Sequence, residues 1–331
     1  MSTACYYDVF NGDADGICAL IQLRKSNPVE STLITGVKRD ISLLSQVDAK
    51  RGDKVTVLDI SMDTNSDDLA RLLEAGSDVF YVDHHFPGDI PTHENLTSII
   101  NEAPATCTSI LVNTHLKGEY SLWAITGAFG DNLKRSARAL AAREDISVDD
   151  TALLEKLGIY INYNGYGSDL DDLHFSPQKL YKKLVVYANP LNFIRANSNA
   201  DSLSGISDFQ KLENGYQQDM AAAGAIEPIS ATANSAVYLL PNEKWARRVS
   251  GVYSNDLANQ NPDRAHAVVT EKANGNYLVS VRAPINNRTG AVDLCRQFPT
   301  GGGRAAAAGI NDLPADMLDA FKQALESAYT D

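Results

Sequence analysis

Five aspartates and a pair of adjacent histidines carry the chemistry available to this chain: Asp13, Asp15, Asp59, Asp83, Asp131, His84 and His85. Carboxylates gathered in one place repel one another and resist ionisation unless cations sit among them, so a divalent metal is the economical reading. Oxygen donors with a single imidazole suit Mn(II), with Mg(II) as the alternative, better than a structural zinc site built of Cys and His. The four cysteines, Cys5, Cys18, Cys107 and Cys295, contain no C-x-x-C pair. They read as small buried hydrophobes of a reducing compartment. His93, His115, His174 and His266 have no partner pattern and read as ordinary surface or core histidines.

Scattered residues need a scaffold to gather them, and the first half of the chain supplies the pattern of one. Short β-branched or aromatic runs at 6–10, 32–37, 55–60, 79–82 and 96–100 read as strands. Helical spacing at 17–25, 42–47 and 67–75 falls between them, which is the signature of a parallel sheet with crossover helices. In open sheets of this kind, ligands collect beyond the carboxyl ends of the strands. Asp13 and Asp15 follow the first run, Asp59 ends the third, and Asp83-His84-His85 ends the fourth.

After Gly118 the pattern turns helical, with helices expected at 121–129, 133–143, 149–157 and 177–187. The small polar stretch 196–205 reads as the start of a linker, followed by an Ala- and Gln-rich helix to about residue 225. Strands are expected at 235–240, 265–272 and 277–281, and a closing helix at 314–329. The expected division is 1–195 for a metal-binding α/β domain, 196–234 for a linker helix region, and 235–331 for a smaller α/β domain with a mixed sheet.

Composition excludes several classes. A chain of 331 residues with 44% hydrophobic and 21% charged residues is a folded protein, long enough for two cores. Its net charge of −13 lies wholly before residue 235, the remainder being neutral. That balance disfavours extended duplex binding and leaves a small phosphorylated ligand or a very short oligonucleotide as the partner. There is no basic segment leading into an apolar leader and no apolar run of membrane-spanning length, so a cytoplasmic protein is expected, with a homodimer allowed. No G-x-x-x-x-G-K-[ST] or G-x-G-x-x-G element occurs, which disfavours a P-loop nucleotidase and a dinucleotide-binding oxidoreductase.

The ordered set of motifs resembles the DHH phosphoesterases. Asp83-His84-His85 matches the family's name-giving motif, Asn11-Gly12-Asp13-Ala14-Asp15-Gly16 its first motif, Val57-Leu58-Asp59 its second, and 127–132 its fourth. Near the C-terminus, Gly301-Gly302-Gly303-Arg304 and the following alanines are similar to the signature of the DHH-associated substrate domain, and Val279-Ser280-Val281-Arg282 to one of its strands. Two positions depart from the pattern. Val9 stands where many members carry a histidine ligand, and Arg304 stands where many have a histidine after the glycines.

The resemblance implies a metal-dependent hydrolase cutting phosphodiester bonds of short oligonucleotides, dinucleotides or cyclic nucleotides with water activated by two Mn(II) ions. In that scheme Asp13 and Asp59 hold one ion, and Asp15, Asp59, His84 and Asp131 the other. Asp83 orients an imidazole, His85 donates to a phosphate oxygen or leaving group, and Asn11 completes the catalytic set. Gly301, Gly302, Gly303, Arg282 and Arg304 would grip the phosphate and face the metals, with the alanines opening a helix. Alternatives are a pyrophosphatase, exopolyphosphatase or phosphomonoesterase, and a nucleotide-binding regulatory protein impaired by Val9. Lys134, Arg135, Arg138 and Arg143 read as a solvated helix face, and 161–167 as a structural loop whose Tyr163 or Tyr166 could stack on a base.

Overall fold

A computed structural model describes residues 4–198 and 206–330. The chain divides into two compact units, Met1–Glu213 and Asn214–Asp331.

The first unit opens with β1 (Tyr6–Phe10), α1 (Ala14–Ser26), β2 (Thr32–Ile34), β3 (Lys54–Leu58), α2 (Ser66–Glu74), β4 (Asp78–Asp83) and β5 (Leu96–Ile100). The strands form one parallel sheet in the order β2-β1-β3-β4-β5. Strand order reverses about β1, so the crevice beyond the ends of β1 and β3 is the place where such sheets collect ligands. On one face Val9, Val55, Val57 and Tyr81 pack with Leu69, Leu72 and Leu73 of α2. A helical layer follows: α3 (Thr108–His115), α4 (Ser121–Gly130), α5 (Lys134–Arg143), α6 (Val148–Gly165), α7 (Pro177–Leu184) and α8 (Pro190–Ser198); α9 (Asp208–Gly224) begins in this unit and ends in the second. The first ten residues of α1 are all buried, because α3, α4 and α6 close round it. A Cβ at Gly130 would lie 2.3 Å from that of Ala14, so glycine is what lets the end of α4 meet the start of α1.

The second unit contains β6 (Ser230–Ala231), β7 (Ser235–Leu240), α10 (Lys244–Gln260), β8 (Ala265–Glu271), β9 (Tyr277–Arg282), α11 (Ala291–Cys295), β10 (Gly301–Arg304), β11 (Ala307–Leu313) and α12 (Leu318–Ala328). Its six-stranded sheet has the order β10-β11-β9-β8-β7-β6 and is mixed, only β7 and β8 being parallel. Val279, Val281, Ile310, Phe321 and Leu325 form its core. A parallel sheet flanked by helices, followed by a smaller α/β unit with a mixed sheet, is the fold class expected from the sequence.

Several local expectations differ from what is found. The helix at 42–47 is a single 3-10 turn, Leu44–Gln46. The loop at 161–167 is the last turn of α6 and its exit. The alanines after Gly303 open no helix: Arg304 pairs with Ala307 across a tight hairpin, and Ala307–Leu313 runs as a strand beside β9. Pairing within the sheet overrides the helix preference of alanine, and Gly303, at φ +136, supplies the backbone freedom for the bend. The helices α3, α8, α10 and α11 are not among the elements expected from the sequence. The stretch 196–205 begins as the end of α8, and its remainder lies outside the described residues. Among the described residues no helix is long and apolar enough to cross a membrane.

His266 lies fully buried in β8. Burial, and then the charge of Arg264, push its imidazole down to about 4. The unfolded chain binds that proton near pH 6.5 and the folded one near 4, so stability falls as pH falls through this window. The loss should approach ~3 kcal/mol at the acid end. Urea unfolding at pH 7 and pH 4.5 should show a steeper drop for the native chain than for His266→Gln; parallel drops would remove the assignment.

Candidate metal centre

The carboxyl ends of β1, β3 and β4 are neighbours in the sheet, which sets their following residues side by side. Asp13 caps α1: its Oδ1 accepts from the backbone N–H of Asp15 at 2.9 Å and of Gly16 at 3.2 Å. Asp15 then lies in the first turn of α1, facing back across the sheet edge. Asp59 leaves β3 in the left-handed region, at φ 61, while its N–H donates to the carbonyl of Val82 at 3.1 Å. A non-glycine residue held there is strained backbone of the kind that collects at functional sites. Asp131 caps the C-terminus of α4, and Asn132 after it is left-handed too, at φ 60.

These elements meet around one imidazole. His84 Nε2 lies 3.4 Å from Asp59 Oδ1, and 3.9 Å from both Asp15 Oδ2 and Asp131 Oδ2. Its Nδ1 donates to the carbonyl of Thr106 at 3.2 Å, which leaves Nε2 with a lone pair turned toward the three carboxylates. Asp15, Asp59 and His84 are at most 5% exposed. Burial, then the charges of Asp15 and Asp13, push Asp59 well above the usual carboxylate range. Four acceptor groups converging on one point fit a divalent cation, and the set of one nitrogen and three carboxylates suits Mn(II) or Mg(II). The ligating atoms of Asp59, His84 and His85 also lie within 4.8 Å of one another.

The N-terminus of α3 is a part of this centre that the sequence did not reveal. Thr108 N–H donates to Asp15 Oδ2 at 2.7 Å and Ser109 N–H to Asp15 Oδ1 at 2.8 Å. The Thr108 hydroxyl donates to Asp59 Oδ1 at 3.1 Å. One turn of helix thus orients two of the carboxylates. The available signal was a Thr-Ser pair at the head of an apolar run, too common to single out. Thr108→Val keeps the N–H and removes only the hydroxyl. It should weaken Mn(II) affinity by about 10-fold, read by titration calorimetry; unaltered affinity would strip the hydroxyl of its orienting role.

Asp83 and His85 form a second pair at the rim. Asp83 Oδ1 lies 2.7 Å from His85 Nδ1, and Asp83 is fully buried. Burial opposes the imidazolium, yet the Asp83 hydrogen bond and charge raise His85 above its ordinary value. Asn11 is a positioning residue by geometry: its Oδ1 accepts from Asp13 N–H at 3.2 Å and its Nδ2 donates to the Lys38 carbonyl at 3.2 Å. Asp13 borders the His84 cluster through a side-chain hydrogen bond with Asp59. Its Oδ2 accepts from the Lys38 ammonium. Burial raises the carboxyl, but Lys38 outweighs this and holds it below the usual range.

The remaining sequence candidates divide as follows. Tyr163 is fully buried with its hydroxyl 2.8 Å from His174 Nε2, so it presents no face to a base. Lys134 and Arg138 both pair with Glu155 of α6, at 3.2 and 2.9 Å, which accounts for half of the basic helix face. In the second unit, Arg282 Nε donates to Asn255 Oδ1 at 2.6 Å. Gly301, Gly302, Gly303 and Arg304 are the strand β10 paired with β11, with Arg304 exposed. A Cβ at Gly303 would lie 2.5 Å from Ala308 Cα, so close strand packing explains this glycine without an anion.

Comparison with known proteins agrees with this architecture. Residues 232–331 match the family model of the DHHA1 domain. No curated protein matches the chain. Among solved structures, a DHH-domain protein described as a member of the s1p family of ribosomal proteins is 12% identical, with a TM-score of 0.66 over 98% of this chain and 86% of its own. A RecJ exonuclease bound to manganese is 19% identical, with a TM-score of 0.54 over 97% and 89%. A pGpG-specific phosphodiesterase from Vibrio cholerae is 16% identical, with a TM-score of 0.53 over 97% and 98%. At these identities the likeness is one of fold.

Proposed function

We propose that this chain, in which a DHHA1 domain is joined to a fold shared with DHH-domain structures, is a DHH-type phosphoesterase, a Mn(II)-dependent hydrolase of phosphodiester bonds in very short oligonucleotides, dinucleotides or cyclic nucleotides. The observation that carries the reading is His84 Nε2 within 3.4–3.9 Å of Asp59, Asp15 and Asp131. A divalent ion held there would activate water and offset charge on a phosphoryl oxygen, with Mg(II) as the alternative ion. The chain's own groups supply the rest. Asp83 fixes the His85 ring, and His85 passes a proton to the leaving oxygen. The α3 N-terminus holds Asp15 and Asp59 in place, so little reorganisation accompanies the reaction.

Small substrates follow from the charge of −13, which opposes a long polyanion. Phe86, next after His85, is 64% exposed and offers a face to a base at the rim. Arg282 and Arg304 are proposed to bind phosphate, and four unpaired thiols suit a reducing cytoplasm.

The purified chain with Mn(II) should be assayed against a 5′-phosphorylated dinucleotide, cyclic dinucleotides, a longer oligomer, pyrophosphate and a phosphomonoester. The dinucleotide or cyclic dinucleotide should turn over fastest. Fastest turnover of pyrophosphate or the monoester would move the assignment to a small-phosphate hydrolase. Nucleotide binding without hydrolysis of any substrate would make the chain a regulatory binder.

A further inference from the structure

Two features are left over once His84 and its carboxylates are accounted for: Asp13, and the Asn- and Tyr-rich end of α6. They meet at Lys38, in the loop after β2. Its ammonium binds Asp13 Oδ2, donates to Asn162 Oδ1 at 2.9 Å and lies 5.3 Å from the centroid of the Tyr166 ring. The backbone of Lys38 is fixed at both ends: its N–H donates to the Gly165 carbonyl at 2.8 Å, and its carbonyl accepts from Asn11 Nδ2 at 3.2 Å. The side chain is 22% exposed and Asp13's only 4%. This is a built cradle for a cation, made of a carboxylate, an amide oxygen and an aromatic ring.

We propose that the Lys38 ammonium is a resident cation standing in for a second metal ion beside Asp13, so that this chain works with one divalent ion and one lysine. The inference rests on the proposed metal-dependent hydrolysis and sets its ion count. Three observations support it. Asp13, expected from the sequence to bind one of two ions, has Oδ1 accepting from two backbone N–H groups and Oδ2 accepting from Lys38. Val9, behind it on β1, is a fully buried core residue that offers no donor atom. An ion placed between Asp13 and Asp59 would also face the ammonium at close range, which like charges oppose. A lysine suits the place because its ammonium is a compact point charge. Its charge is independent of metal supply, so phosphoryl oxygens meet a fixed positive group on one side and the divalent ion on the other.

The test is Mn(II) uptake by the full chain, counted by calorimetry and read by electron paramagnetic resonance. One equivalent per chain with a mononuclear spectrum is expected. Two equivalents, or the spectrum of a coupled pair, would overturn the lysine's role and leave the hydrolase reading standing. No uptake would overturn both. Lys38→Met should cut turnover of a 5′-phosphorylated dinucleotide about 10²-fold at saturating Mn(II), and Lys38→Arg, which restores the charge, should recover part of it. Unchanged turnover in a folded Lys38→Met variant would also refute the inference.

Discussion

Asp59→Asn should lower turnover of a dinucleotide about 10⁴-fold and abolish tight Mn(II) uptake, with the fold intact. The size of the effect corresponds to ~5 kcal/mol of transition-state stabilisation. It follows from position: Asp59 Oδ1 is the carboxylate oxygen nearest His84 Nε2, at 3.4 Å, and also accepts from the Thr108 hydroxyl. Asparagine is the informative replacement for a backbone reason as well. Asp59 sits at φ 61, a conformation that asparagine tolerates and most residues resist. The variant therefore removes charge without adding strain. Because burial and the neighbouring Asp15 and Asp13 charges already oppose ionisation of Asp59, its neutral replacement should leave thermal stability equal or higher. Activity and melting temperature moving down together would show a structural role instead.

His85→Ala should reduce turnover of the same substrate about 10³-fold while leaving Mn(II) uptake intact. General-acid help of this kind contributes roughly 10²–10⁴-fold. The ring is held by Asp83 at 2.7 Å, and that bond and charge favour the protonated imidazole that a departing alkoxide needs. A substrate with a nitrophenolate leaving group requires no such proton, so its turnover should fall far less. Equal losses for both leaving groups would exclude proton donation. Loss of Mn(II) uptake would make His85 a ligand, a role its approach to Asp59 and His84 permits.

Much of the candidate metal centre could be proposed from the sequence because most of its members follow strands. Alternation of short apolar runs with helices indicates a parallel sheet, and acids placed just after three of the runs must then share an edge. Asp13, Asp59 and His84 follow β1, β3 and β4, which are adjacent in the sheet. The α3 contribution was not legible, since Thr108 and Ser109 act through backbone N–H groups, which every sequence contains. The alanines after Gly303 misled for the opposite reason. Their intrinsic preference is helical, but Ala307 and Ala308 pair with Arg282 and Val281 of β9.

Residue types and their order along the chain were enough to determine the α/β class and to nominate the acids of the candidate centre, because those depend on local pattern and on which atoms can bind a cation. Only the tertiary structure decided which donors share a centre. It gathers Asp15, Asp59 and Asp131 round His84, and it turns Asp13 toward Lys38 and Asn162, a residue 124 positions further along. Spacing in sequence carries no record of such a pairing, since it is made by packing α6 and the loop after β2 against the same end of β1.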